Sequence, residues 1–507
     1  MGETDVRVAT ARHAALLSRL GAVAGLEGEV PVNDGGSLAW GTAWVLRSHA
    51  LMFEKTGDPA HLHRLAHTVE LVLDQRDSVR GVRDFRGVSA PVWSSTGGFT
   101  VATARIPRKG EDPDAEAALC VHVCPPGSVG ARVEVRSGSQ SGTVTLAVTN
   151  GDRETDVLAD LSLDPAHPRW APRAAYGAYP GATRTTVTVP GDPSRMRGDS
   201  DAAMVREGRY ACRPARVSLA AQTGMLAFPV VELARLVLAH PTAAGQRLTR
   251  RVDAWLEAAT VALATHDGEY RSADGLGWYA WPREQPVSFA GVELPTNEFL
   301  AVGRAHLELG RVSADGPHRE RAAAIAATLR GQLRPVGRLV EWSYWPDFGA
   351  VHRGWSKGSD PTAGVSPHRP QFTAQPKLED VTHALLDLEF AVACARGERF
   401  GSAITGRELA ALGETYLRRV ARPSGRVPWR RGPWRRVPAA TIARDVSRRG
   451  RRAAPDQQRH AAAWLALAPW VPAVREHALA VLAAHEATVV GDRGVDAYCA
   501  ALAARWG

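Results

Sequence analysis

The hydrophobic positions of this chain follow two alternating patterns. From Leu38 to Glu54 apolar residues fall on nearly every side of a helical wheel, the signature of a helix buried all round. That run ends at Thr56-Gly57-Asp58-Pro59, where Gly57 suits a helix C-cap, Asp58 an N-cap and Pro59 the first turn of the next helix. The text that follows, to about Asp74, keeps Leu62, Leu65, Ala66, Val69 and Leu73 on one face and is amphipathic. A buried helix, a tight turn and an amphipathic helix make an inner/outer pair. The pair recurs at 225–239 with 246–265, 297–310 with 318–333, 379–396 with 406–420, and 458–470 with 474–486. An opening helix (6–20) and a closing one (495–505) are expected to pair as a sixth and close a ring, an open solenoid being the alternative.

Between Trp93 and Gln222 the period shortens to two. Residues 99–104, 131–135 and 143–148 alternate, 184–189 is rich in Thr and Val, and Gly, Pro, Asn and Asp bound these short strands. Helix pairs resume at Thr223, so the β text is an insertion. The expected fold class is therefore mainly α: an α/α toroid of about six helix hairpins with an inserted all-β domain. Its boundaries are 1–92 for the first part of the toroid, 93–222 for the β-rich domain and 223–507 for the remainder, including an arginine-rich loop at 418–459.

Composition changes this picture in two places. The net charge of +9 is local, because 418–459 holds fourteen Arg against Asp445 and Asp456. That segment reads as a solvated surface or as an arm for a polyanion, with Arg430, Arg431, Arg435 and Arg436 the candidate contacts and nucleic acid the less favoured partner. Five sparse cysteines argue against a disulfide framework, and no run approaches the roughly 18 apolar residues of a membrane span. The N-terminal 25 residues lack the continuous apolar stretch of a secretory signal, so the chain as written reads as cytoplasmic, with no membrane partner.

The unusual text lies just before the inner helices, over what would be one mouth of the ring. It comprises Asn33-Asp34-Gly35-Gly36 before Trp40, Trp278-Tyr279-Ala280-Trp281 before Asn297-Glu298, and Glu341-Trp342-Ser343-Tyr344-Trp345 before Glu379-Asp380. Aromatic platforms with polar neighbours suit sugar rings, or else they are core under long loops. The sharpest constellation is 379–387. On a helix, Asp380, His383 and Asp387 share one face. Such a stripe is a buried structural network, an acid–base site with His383 as base, or a metal site. A weaker candidate is Cys120-Val121-His122-Val123-Cys124, whose two thiols and imidazole share one strand face. Walker loops, dinucleotide fingerprints and zinc-protease motifs are absent, and neither cofactor nor metal is assigned.

Leu38-Ala39-Trp40-Gly41 with Thr56-Gly57-Asp58, Leu294-Pro295-Thr296-Asn297-Glu298, Trp342-Ser343-Tyr344-Trp345 and Glu379-Asp380-Val381-Thr382-His383 resemble α/α-toroid carbohydrate-active proteins, near glucuronyl C5-epimerases and polysaccharide lyases. The resemblance implies an acidic, uronate-type saccharide, acted on by a lyase, epimerase or hydrolase. Asn297 would bind the carboxylate, His383 would be the base, with Asp380 and Asp387 beside it, and Tyr279 or Tyr344 the acid. Asp34, Trp40, Trp281, Glu298, Trp342 and Trp345 would line the substrate site. A hydrolase would instead pair Asp34 or Glu298 with Asp380. Separately, residues 130–135, 145–148 and 158–170, ending in Leu161-Ser162-Leu163-Asp164-Pro165, resemble a β segment of contractile phage tail-sheath proteins. That implies a non-catalytic docking module for a protein partner as the alternative.

Overall fold

A computed structural model describes residues 11, 13, 30–112, 116–190, 205–313, 316–360, 363–396, 403–422, 425–429, 432–437, 439–448, 450–485 and 493–506. Its long helices are α1 (Ala43–Thr56), α2 (Pro59–Asp74), α3 (Ala220–Ala239), α4 (Val252–Ala264), α5 (Thr296–Val312), α6 (Gly316–Gln332), α7 (Ala384–Arg396), α8 (Gly406–Thr415), α9 (Ala473–Ala484) and α10 (Arg493–Trp506). The turn between α1 and α2 shows why they pair. Gly57 adopts φ 68°, which a side chain disfavours, and its N–H bonds to the Phe53 carbonyl at 2.8 Å. Asp58 then accepts from the Ala60 N–H at 2.9 Å and Pro59 opens α2.

The alternation of buried and amphipathic helices is present. α1 packs on α3, α3 on α5, α5 on α7, α7 on the short helix Ala461–Trp464, that helix on α10, and α10 on α1. The amphipathic members α2, α4, α6 and α9 pack outside this sequence. Gly224 permits the close approach of α3 to α5, since a Cβ there would meet the backbone of Val302 at 2.6 Å. α3 has the length and composition of a membrane span, but it lies buried between its neighbours as a core helix. Of the expected opening helix (6–20) only positions 11 and 13 fall among the described residues, and the closing helix packs on α1.

The expected fold class requires correction. Helix makes up 47% and strand 18%, with the strands spread over several small sheets, so the fold is mixed α/β and not a mainly-α toroid with a single β insertion. Strands β1 (Ala102–Ile106), β2 (Leu119–Val123), β3 (Arg132–Ser137), β4 (Val144–Thr149), β5 (Thr155–Leu161), β6 (Thr185–Thr188), β7 (Gly208–Ala211) and β8 (Arg213–Pro214) form two four-stranded sheets, ordered β6-β2-β1-β8 and β5-β4-β3-β7. Their inward residues, among them Ile106, Val121, Val133 and Leu146, build a hydrophobic core separate from that of the helices. Two-stranded sheets outside this region are what the expectation lacked. They are β9 (Tyr270–Ala273) with β10 (Leu276–Tyr279), β11 (Arg334–Val336) with β12 (Leu339–Glu341), β13 (Ala421–Arg422) with β16 (Thr441–Ile442), and β14 (Gly425–Trp429) with β15 (Gly432–Val437). Each strand is too short for alternation to register. Only the Asp274-Gly275 turn of β9–β10, with φ of 53° and 77°, carries a recognisable hairpin signal. The segment expected as an arginine-rich loop likewise contains these strands.

Candidate functional site

The loop that enters α7 is pinned on both sides. The Glu379 N–H donates to the Trp342 carbonyl (2.9 Å), and the Val381 N–H to the Arg444 carbonyl (3.0 Å). α7 begins only at Ala384, so Asp380 precedes the helix and caps it. Its Oδ1 accepts from the N–H groups of Thr382 (3.1 Å) and His383 (3.2 Å), from the Thr382 hydroxyl (2.5 Å) and from His383 Nδ1 (2.8 Å). Lys377 Nζ takes Oδ2 at 2.9 Å. Burial opposes the charge of Asp380, but the hydrogen bonds from His383, Thr382 and Lys377 outweigh it and hold its carboxyl well below the usual carboxylate range.

The expected single stripe therefore divides. Asp387 turns inward, where Trp342 Nε1 donates to its Oδ2 at 2.7 Å. Burial pushes Asp387 upward and Glu379 well upward, and each carboxylate repels the other's charge or binds its proton. Glu379 Oε2 and Asp387 Oδ1 have no other hydrogen-bond partner, which one proton shared between them explains. This pair is structural: it holds fully buried Trp342 under the site.

His383 is different. Its Nδ1 meets Asp380 and its side chain is 39% exposed; when Nδ1 carries the proton and donates it to Asp380, Nε2 is left as the acceptor. The Tyr344 ring lies 4.9 Å from the imidazole, and Lys377 Nζ lies 4.9 Å over the same ring. Burial raises the Tyr344 phenol above its usual range, and the charges of Glu298 and Glu379 add to this, so it stays protonated at neutral pH. Glu298, in the first turn of α5, is pushed up by burial to about 7, against the opposing charge of His383. One group that holds and one that releases a proton near neutrality thus flank an oriented imidazole.

Glu379, Asp380 and His383 bring ligand atoms within 4.8 Å of one another, as a metal site requires. The donor set fits poorly. Lys377 already supplies the cation at Asp380 Oδ2, and Oδ1 accepts four hydrogen bonds. The arrangement serves an oriented base better than a bound ion.

Tyr344 and Lys377 also line a cleft of about 980 Å³ between the β-rich region and the segment 344–377. Its walls carry Tyr179, Phe289, Trp345, Trp355 and Phe372. Arg184, Arg353, Arg369 and Lys377 line it, and no carboxylate does. Arg369 lies 4.3 Å over Phe289 and 5.1 Å over Phe372, and burial lowers its pKa. Among the described residues none of the three arginines forms an ion pair. Arg184 comes from the β-rich region, Arg353 from the one-turn helix Ala350–Arg353 and Arg369 from a loop, so neither pattern nor spacing marks them.

The other expected residues are scattered. Trp345 lines the cleft, and Trp281 packs behind it at 6.3 Å. Asn297 is buried in the first turn of α5 with Oδ1 unpartnered among the described residues. Trp40 is half-buried beside Gly36, and Asp34 pairs with Arg216 at 2.9 Å. Trp342 donates to Asp387 and does not line this cleft. Tyr279 is not at the site: its hydroxyl meets His306 Nε2 at 2.8 Å, roughly two and a half helical turns along α5 from Asn297. His122 bonds the hydroxyls of Thr103 (2.9 Å) and Thr188 (2.8 Å) through its two nitrogens, leaving neither for a metal. Arg430 and Arg431 lie outside the described residues, and Arg435 and Arg436 are placed only as positions on β15, opposite Val427 and Arg426.

The molecule is thus a mixed α/β protein in which a cationic, aromatic cleft adjoins the His383 cluster through Tyr344 and Lys377, while His383, Asp380 and Glu298 do not themselves line it. Compared with protein-family models, curated proteins and solved structures, the chain finds no match in any of the three.

Proposed function

We propose that the cleft binds an acidic, uronate-type saccharide and that the His383 cluster, which adjoins it through Tyr344 and Lys377, removes the proton α to the uronate carboxylate, as a lyase or epimerase does. The observation that carries this reading is the lining: four cationic side chains, no carboxylate and six aromatic side chains. Aromatic faces stack on sugar rings, and arginines bind carboxylates in bidentate fashion. Arg353 or Arg184 neutralises the substrate carboxylate, which makes the neighbouring C–H more acidic and stabilises the enediolate. His383 Nε2 takes the C5 proton, and the electron pair moves into the carboxylate. In elimination the pair then returns to form the C4–C5 double bond as the O4 bond breaks, with the Tyr344 hydroxyl protonating the leaving oxygen. In epimerisation Glu298, protonated part of the time near pH 7, returns a proton to the opposite face.

A hydrolase using Glu298 and Asp380 is the weaker reading, because the four hydrogen bonds on Asp380 Oδ1 and the lysine on Oδ2 leave no oxygen free for attack. The five cysteines are buried free thiols, which fits a reducing compartment such as the cytoplasm. The test is calorimetric titration with a uronate oligomer and its neutral, carboxyl-reduced counterpart. The acid oligomer should bind, and Arg353→Ala should weaken it by roughly 10–100-fold, the loss of one charge-assisted contact. Equal affinity for both oligomers would remove the acidic-saccharide reading.

A further inference from the structure

A second cavity, of about 310 Å³, opens among α1, α3, α5, α7 and α10, with Glu54, Arg311, Arg396 and Arg505 lining it from the last turns of their helices. Its chemistry is unlike that of the cleft. Four glutamates and six arginines line it, and they are chained across the helices. Glu389 on α7 pairs with Arg47 of α1 and Arg304 of α5. Glu232 on α3 pairs with Arg47 and Arg235. Glu308 pairs with Arg235 and Arg311, and Glu54 with Arg235 and Arg505.

The chain of pairs does not balance. Each glutamate serves two arginines, and Arg396, the last residue of α7, has no acid partner among the described residues. Its guanidinium instead lies 4.3 Å over Trp506 and 6.0 Å over Trp470, which present it flat at the cavity. Six cations against four anions leave the lining at +2. Inside it, Arg304 is buried and its Nε has no hydrogen-bond partner. The surplus acts on the neighbours as well. Burial, then the charge of Arg47, lowers Arg505 to about 10, and burial with Arg47 and Arg311 lowers Arg396. A pocket of this volume lies at the lower end of those that take small ligands.

We propose that this cavity binds a small dianionic oxyanion of phosphate or sulfate type, held by Arg396 at the rim and by the surplus charge of Arg47, Arg304 and Arg505 within. Two negative charges neutralise the lining, and the tetrahedral oxygens match the forked donors of several guanidinium groups. The site is separate from the saccharide cleft and shares no lining residue with it.

The test is equilibrium dialysis of the full-length protein with inorganic phosphate, inorganic sulfate and a sugar monophosphate, in low-salt chloride buffer. Saturable binding of one equivalent is expected. Arg396→Gln should weaken it at least tenfold, and Glu54→Gln, which adds to the surplus, should tighten it. The cleft double variant Arg184→Ala/Arg353→Ala should leave it unchanged. Both single variants sit toward the edge of the network, and a thermal melt confirms that each is folded. Preference for the monophosphate over the free ions identifies an ester as the ligand, and the reverse identifies the ion. Absence of saturable binding would overturn the proposal, showing that the helix C-terminal dipoles offset the surplus. Binding lost in the cleft variant, or indifferent to both Arg396→Gln and Glu54→Gln, would overturn it equally.

Discussion

Two arginine-rich cavities lie in one molecule, and the pairing of the arginines tells them apart. In the central cavity Arg47, Arg235 and Arg304 are bridged by Glu232, Glu308 and Glu389, so most of their charge is spent on joining α1, α3, α5 and α7. In the cleft Arg184, Arg353 and Arg369 face the opening with aromatic rings and no acid. Counting arginines in the sequence does not separate these cases. Only the placement of the glutamates does: in the central cavity it leaves a surplus of two positive charges over the pairs that hold the fold, and in the cleft it leaves all three arginines unopposed.

The largest effect should come from breaking the first set. Glu389→Ala strands buried Arg304 and leaves Arg47 with Glu232 alone, and removing one partner of a buried pair costs about 3–5 kcal/mol. Urea denaturation should show that loss, whereas Arg353→Ala in the cleft should stay within about 0.5 kcal/mol of wild type. Similar losses in both variants would erase the distinction. Next in size is His383→Ala. Its imidazole is well exposed and water can replace it, so the melting temperature should hardly move, while any turnover falls by about 10²–10⁴-fold. A folded-state collapse with wild-type turnover in the surviving fraction would make His383 structural.

A smaller effect concerns pH. Glu298 in the folded chain is raised above its unfolded value of 4.5 to about 7, so between these values the folded state binds more protons than the unfolded one. Its contribution is therefore fully present below about pH 4.5 and is lost as pH rises through 7. Glu298→Gln should match wild type at pH 4 and exceed it at pH 8, by on the order of 1 kcal/mol after allowance for partial exposure. A variant less stable than wild type at pH 8 would contradict the assigned shift. The smallest effect is expected at Cys120, His122 and Cys124: chelator should leave the melting temperature unchanged, since threonine hydroxyls satisfy the imidazole.

The sequence made the helices legible because their signals are local. Gly57, Asp58 and Pro59 act within one turn of where they stand, and the apolar faces repeat every turn. His383 and Asp380 were legible together because 3.6-residue spacing groups them, whereas Tyr344 entered only as one of two candidate acids, beside Tyr279. The same spacing misplaced Asp387, since the helix starts at Ala384 and the capping role of Asp380 draws it off the stripe. Tyr279 was lost for a related reason: β10 directs it along α5 to His306. Arg184, Arg353 and Arg369 were illegible, because the β-rich region and the segment 353–369 meet only in three dimensions. The short hairpins that make the fold mixed α/β escaped because strands of two to four residues show no period, and the longer β14 and β15 hold Gly, Pro and Arg in place of alternating apolar residues.

The central claim is that the cleft presents a uronate to His383 Nε2 as base. It is tested most directly by incubating a uronate oligomer with the protein in deuterium oxide and measuring deuterium at C5, together with the ultraviolet absorbance of any new conjugated double bond. Wild type should introduce deuterium at C5 or form the double bond, and His383→Ala should do neither while still binding the oligomer. Binding by wild type with neither deuterium nor unsaturation would contradict the catalytic account and leave a saccharide-binding protein.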